Sequence, residues 1–125
     1  MKWLSQAMVR AAAKKSEREA VASSKKHWKQ NCTATEEEVK AYIKQEIKTG
    51  IFKGSNCSPV DADLCALCEC YDDNCKNCPL GPTQCCREYG EAQKAFDKWK
   101  KRKTKFNFEI WKAKAKLMYE KLCSL

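Results

Sequence analysis

Residues 65–86, CALCECYDDNCKNCPLGPTQCC, constrain this chain more than any other stretch: they hold seven of its ten cysteines in twenty-two residues. Cys65 and Cys68 form one C-x-x-C pair, Cys75 and Cys78 a second, with six residues between them. A tight turn within each pair brings two thiolates to one side of the backbone, the arrangement that holds a single metal ion. The short spacer implies a compact knuckle. Pro79, Leu80 and Gly81 follow the second pair, where a turn can aim backbone N–H groups at the sulfurs. The spacing therefore predicts a structural zinc held by Cys65, Cys68, Cys75 and Cys78, with Cys70, Cys85 and Cys86 near enough to substitute for one of them. Four thiolates also suit an iron–sulfur cluster. An even cysteine count suits a disulfide scaffold in an oxidising compartment.

Compartment decides between metal and disulfides. The N-terminal residues MKWLSQAMVRAAAKK are interrupted by Ser5, Gln6 and Arg10 and do not read as an export signal. A reducing, cytoplasmic location is the expectation, and it favours metal. Two glycosylation tripeptides, starting at Asn31 and Asn56, point the other way. No stretch is apolar for long enough to cross a membrane.

Ten of the 125 residues are cysteine and a third are charged, so the apolar supply for a core is modest and a metal staple would add to it. The net charge of +9 is unevenly laid out: +6 over residues 1–35, −5 over 36–93 and +8 over 94–125. The cysteine-bearing middle is acidic and lies between two basic ends.

The pattern predicts a mostly α fold: about four helices around the metal knuckle, ending in an antiparallel helical hairpin. Residues 1–30 read as one basic N-terminal helix, alanine-rich and free of Gly and Pro, with Trp3, Leu4, Ala7, Met8 and Ala11 on one face. Beyond Ala13 that helix turns polar all round, the pattern of an exposed or poorly formed segment. Residues 31–125 read as a single metal-stapled domain. The only histidine, His27, reads as a surface or interface residue beside Trp28 rather than a metal ligand.

A second helix is expected over 36–49. Thr35 and Glu38 form a capping box, Val39, Tyr42, Ile43 and Ile47 a buried stripe, and Gly50 the stop. A third, over 84–103, carries Tyr89, Ala92, Phe96 and Trp99. A fourth, over 108–122 with Asn107 as its N-cap, carries Phe108, Trp111, Ala115, Met118 and Leu122.

Several chemistries have no residues to carry them. The chain lacks a nucleotide-binding loop, a G-x-S-x-G elbow and an H-E-x-x-H helix. One histidine cannot furnish a His-rich catalytic metal site, and an all-thiolate site is closed and structural. A non-enzyme without a small-molecule substrate is expected. The functional signal is the basic stretch Lys98, Lys100, Lys101, Arg102, Lys103 and Lys105, followed by Lys112, Lys114, Lys116 and Lys121. On an antiparallel hairpin both rows could form one cationic face that binds phosphate backbones by counterion release, with Trp99 or Phe106 stacking on an unpaired base. The alternative is a protein-interaction module that docks on a host protein through the acidic middle or through Trp3, Leu4 and Met8.

The order of features resembles a loose group of small cysteine-rich proteins encoded by tailed bacteriophages. The shared features are a helical His27-Trp28 segment, CALC at Cys65–Cys68, C-x-x-C-P-L at Cys75–Leu80, then Cys86, Tyr89 and a C-terminal helix with a tryptophan. The chain departs from that group in its extra cysteines, Cys32, Cys57, Cys70, Cys85 and Cys123, and in its lysine content. The resemblance implies a metal-binding protein of phage origin working in the host cytoplasm; it supplies no activity and no partner.

Overall fold

Helix starts are set by side chains that satisfy the orphan N–H groups of a first turn. The structure, a computed structural model, describes residues 3–49 and 84–125. These residues form five helices and, among the described residues, no strand. Helix α1 spans Gln6–Lys15, and Ser5 caps it by accepting from the Met8 amide at 3.2 Å. Helix α2 spans Glu17–Thr33, α3 Glu36–Thr49, α4 Gln84–Lys101 and α5 Lys105–Cys123.

The single N-terminal helix expected over residues 1–30 is two helices. Ser16 takes an extended conformation and its hydroxyl accepts from the Glu19 amide at 3.1 Å, so α2 starts afresh there. Capping by a Ser-x-x-Glu sequence overrode the helix propensity of its neighbours. The expected face of α1 is also rotated. Val9 is fully buried, with Ala12 and Ala13 packed beside it, whereas Ala7, Met8 and Ala11 face outward. Leu4, just before the helix, is buried, and its amide donates to Gln30 Oε1 at 3.1 Å. That bond sets the start of α1 against the end of α2, so the two helices run antiparallel.

The second half of the N-terminal segment is not exposed. Ala20, Ser24, His27, Trp28 and Asn31 make a buried stripe at three- and four-residue steps along α2. His27 is buried, with its ring at 73° to the Trp28 ring and 5.6 Å away. Three of the five residues in this stripe are polar, which is why hydropathy does not reveal it.

The α3 capping box is formed in both directions. The Thr35 amide donates to Glu38 Oε1 at 3.0 Å and the Glu38 amide to the Thr35 hydroxyl at 3.2 Å. The bond from the Thr35 amide favours the ionised carboxylate and holds the Glu38 pKa down to about 2. Val39 and Tyr42 point inward, and Tyr42 meets the Trp3 ring at 4.9 Å.

Helices α4 and α5 form the expected antiparallel hairpin. Trp99 meets Phe108 at 5.7 Å, Phe96 meets Trp111 at 5.0 Å, and Glu91 pairs with Lys114 at 3.3 Å, so positions rise on one helix as they fall on the other. Offset and tilted ring pairs of this kind add to the area their burial removes from water. The connection is shorter than expected, because Thr104, not Asn107, caps α5: its hydroxyl accepts from the Asn107 amide at 3.1 Å. Asn107 instead turns its amide back to donate to the Arg102 carbonyl at 2.9 Å, which closes the turn.

Helix α2 lies across this hairpin. Trp28 meets Tyr89 of α4 edge-on at 6.2 Å, and Leu125 sits beside Val21 while Lys112 reaches Ala34, so α2 and α5 are antiparallel. One buried cluster joins Leu4, Val9, Trp28, Val39, Phe96, Trp99, Trp111, Met118 and Leu122. The N-terminal residues thus share a core with the hairpin. No helix among the described residues is long and apolar enough to cross a membrane.

Candidate nucleic-acid interface

Helix α4 ends at Lys101 and Thr104 caps α5 three residues later, so the basic stretch folds into a tight, charged corner. Lys98, Lys101, Arg102, Lys103 and Lys105 are exposed, and Lys100 is half-buried. No acidic residue interrupts positions 98–108. The Lys100 amine lies 6.0 Å from the Phe96 ring centre and the Lys103 amine 5.8 Å from that of Trp99, so aromatic faces of the core hold both cations at the corner. Phe106, in the first turn of α5, is 72% exposed. It is the most exposed large hydrophobic residue described and it sits among cations.

Trp99, the other candidate for base stacking, is fully buried between Phe96 and Phe108. Its ring belongs to the core.

Lys112 is also turned inward. Its amine donates to the carbonyls of Asn31 and, at 2.7 Å, Ala34, at the end of α2. That helix has no basic residue in its own last turn, and a cation there bonds its terminal carbonyls and opposes the negative end of the helix dipole. The amine lies 5.4 Å from the Trp111 ring centre and 5.7 Å from that of Phe108. Burial pushes its pKa down to about 8, against the smaller pull of Cys32, Glu109 and Glu38.

The other lysines of α5 do not extend the cationic corner as a clean second row. Lys114 pairs with Glu91, and Lys116 lies 4.0 Å from Glu120. The corner is extended instead from α3. A groove of about 460 Å³ between α3 and the end of α4 is lined by Lys40, Ile43, Lys44, Lys100 and Lys103. Lys40 and Lys44 stand one helical turn apart, and Lys40 also pairs with Glu36 at 2.9 Å. The sequence gives no sign that these two lysines join the corner, because only the packing of α3 against the hairpin brings them there.

The predicted metal ligands Cys65, Cys68, Cys75 and Cys78, and Cys70, lie outside the described residues, as does Gly50. Cys85 and Cys86 fall in the first turn of α4. Among the described residues no group of three or more His, Cys, Asp or Glu side chains could hold a metal ion. Cys32 is half-buried and Cys123 exposed, both as free thiols. Burial pushes the Cys32 thiol up to about 11, which leaves it protonated and unreactive near neutral pH. The proposed docking end of the alternative reading is divided: Leu4 is buried, Trp3 packs on Tyr42 and Met8 alone of the three is exposed.

No protein-family model matches the chain, and neither does any curated protein or solved structure.

Proposed function

We propose that this is a nucleic-acid-binding accessory protein that grips phosphate backbones with the α4–α5 corner. One observation carries the reading: six cations lie within residues 98–105, five of them exposed, without an acid among them and beside an exposed aromatic ring. Lysine-rich corners of this kind attract phosphates through counterion release and read no sequence. No bound small molecule or chemical step is part of the reading. The knuckle at Cys65, Cys68, Cys75 and Cys78 serves it as a structural zinc centre, a reading that rests on thiolate spacing. Phage origin and action in the host cytoplasm rest on the resemblance alone.

Two variants of equal net charge test the reading. The first replaces Lys100, Lys101, Arg102 and Lys103 with Gln; the second replaces Lys14, Lys15, Lys25 and Lys26. The corner variant should lower both affinity and the slope of log affinity against log salt, by up to about four phosphate contacts' worth. The second variant should change little. Equal losses would mean that only total charge matters. For the knuckle, metal analysis of protein purified without chelator should find about one zinc per chain; metal-free protein with five disulfides would remove the zinc centre.

A further inference from the structure

The shape of the corner narrows the class of nucleic acid. A groove of about 460 Å³ lies in the range of pockets that hold a drug-sized molecule, which is room for a nucleotide unit. Four lysines and the half-buried Ile43 line it. Lysine stems cover apolar surface while their ammonium groups reach the rim, so the groove offers charge at its edge and an apolar base. Ammonium groups are point charges that accept a phosphate from many directions and impose no planar register, unlike guanidinium forks. Lys103, which lines the groove, lies in the connection between α4 and α5, and the exposed Phe106 follows it by three residues, just past the Thr104 cap.

Resting on the nucleic-acid reading above, we infer that the ligand is an unpaired strand, its backbone seated in the groove between α3 and the end of α4 and one base stacked on Phe106. A paired base presents its edge in a groove of the helix, whereas an unpaired one exposes the π-face that an aromatic side chain needs. Lys40 and Lys44 are then phosphate contacts supplied by a helix far from the corner in sequence. Binding favours no base, since nothing in the groove reads a base edge.

Fluorescence anisotropy with a labelled oligothymidine, and with a duplex of the same length, tests this on the full chain. Phe106→Leu should weaken oligothymidine binding roughly tenfold and leave duplex binding unchanged. Lys40→Gln with Lys44→Gln should lower the salt slope for oligothymidine by up to about two phosphate contacts' worth. All three side chains are exposed, and a circular-dichroism melt confirms that each variant is folded. Three outcomes would overturn the inference. If the corner variant loses binding while Phe106→Leu and the Lys40/Lys44 variant keep it, the corner binds nucleic acid but the strand does not follow this path. If the duplex binds as tightly as oligothymidine and Phe106→Leu weakens neither, the ligand is not an unpaired strand. If the variant at Lys14, Lys15, Lys25 and Lys26 loses as much as the corner variant, the nucleic-acid reading and this inference fall together.

Discussion

The two stretches of lysine in the C-terminal third are alike in composition and opposite in use. At the corner, residues 98–105 hold their cations outward around an exposed Phe106. Along the body of α5, Lys112 is drawn inward to the end of α2 and Lys114 is paired with Glu91. The aromatic residues divide the same way, with Trp99 fully buried and Phe106 72% exposed. Helical position, not residue type, decides the role. In the corner the chain reverses, so successive side chains fan out; along α5 one side is committed to α2 and α4. Counting basic residues along a sequence therefore overstates the surface they form.

The aromatic half of this comparison gives the largest expected effect. Trp99→Ala should destabilise the fold by about 3–5 kcal/mol, the usual cost of emptying a buried tryptophan site. Phe106→Ala should stay within about 0.5 kcal/mol, as an exposed side chain does. Urea titration measures both. The Trp99 indole N–H is buried without an acceptor among the described residues. Trp99→Phe should therefore be far milder than Trp99→Ala, because it removes a donor that earns no hydrogen bond. A large loss from Phe106→Ala would place that ring in the core and dissolve the contrast.

The lysine half comes next. Lys112→Met keeps the apolar stem and removes the amine, leaving the Asn31 and Ala34 carbonyls short of a donor. A loss of about 1–3 kcal/mol is expected, with oligonucleotide affinity unchanged for the protein that remains folded. The corner variant at Lys100, Lys101, Arg102 and Lys103 should do the reverse, sparing stability and lowering affinity. If Lys112→Met also lowers affinity at full folding, Lys112 belongs to the interface after all.

What the sequence disclosed follows the same division. Helices with apolar stripes were legible: α3 begins and ends where its capping box and length predict, and the aromatic registers of α4 and α5 meet across the hairpin as expected. Ends and phases were less legible where two side chains competed for one role. Thr104 and Asn107 can each cap a helix, and local geometry chose Thr104. Ser16 and Glu19 carried a capping signal that the alanine-rich neighbourhood concealed. The buried face of α2 was hidden because Ser24, His27 and Asn31 are polar. The site was half legible. The corner itself is written in consecutive residues, but Lys40 and Lys44 join it only through tertiary packing, and Lys112 leaves it for the same reason.

The smallest effect isolates the charge state of Lys112. In the folded chain its amine loses its proton near pH 8, whereas in the unfolded chain it does so near its ordinary value of 10.5. Between those values the unfolded state binds more protons than the folded state, so stability rises with pH. Below pH 8 both states are charged and the folded state bears the full cost of the half-buried ammonium. Cys32 works in the opposite sense. Its thiol keeps its proton to about pH 11 when folded and loses it near 9.0 when unfolded, so stability falls with pH across that window. Among the described groups whose values are shifted, Lys112 thus acts alone from about pH 8 to about pH 9. Tyr119, whose phenol is raised by its hydrogen bond with Cys123, titrates above that range. From about pH 7.5 to about pH 9 the urea midpoint of the unaltered protein should rise slightly relative to that of Lys112→Met. The corner variant leaves Lys112 in place and should keep the rise. An equal rise in Lys112→Met would assign it to another group and leave Lys112 an ordinary surface cation like its neighbours at the turn.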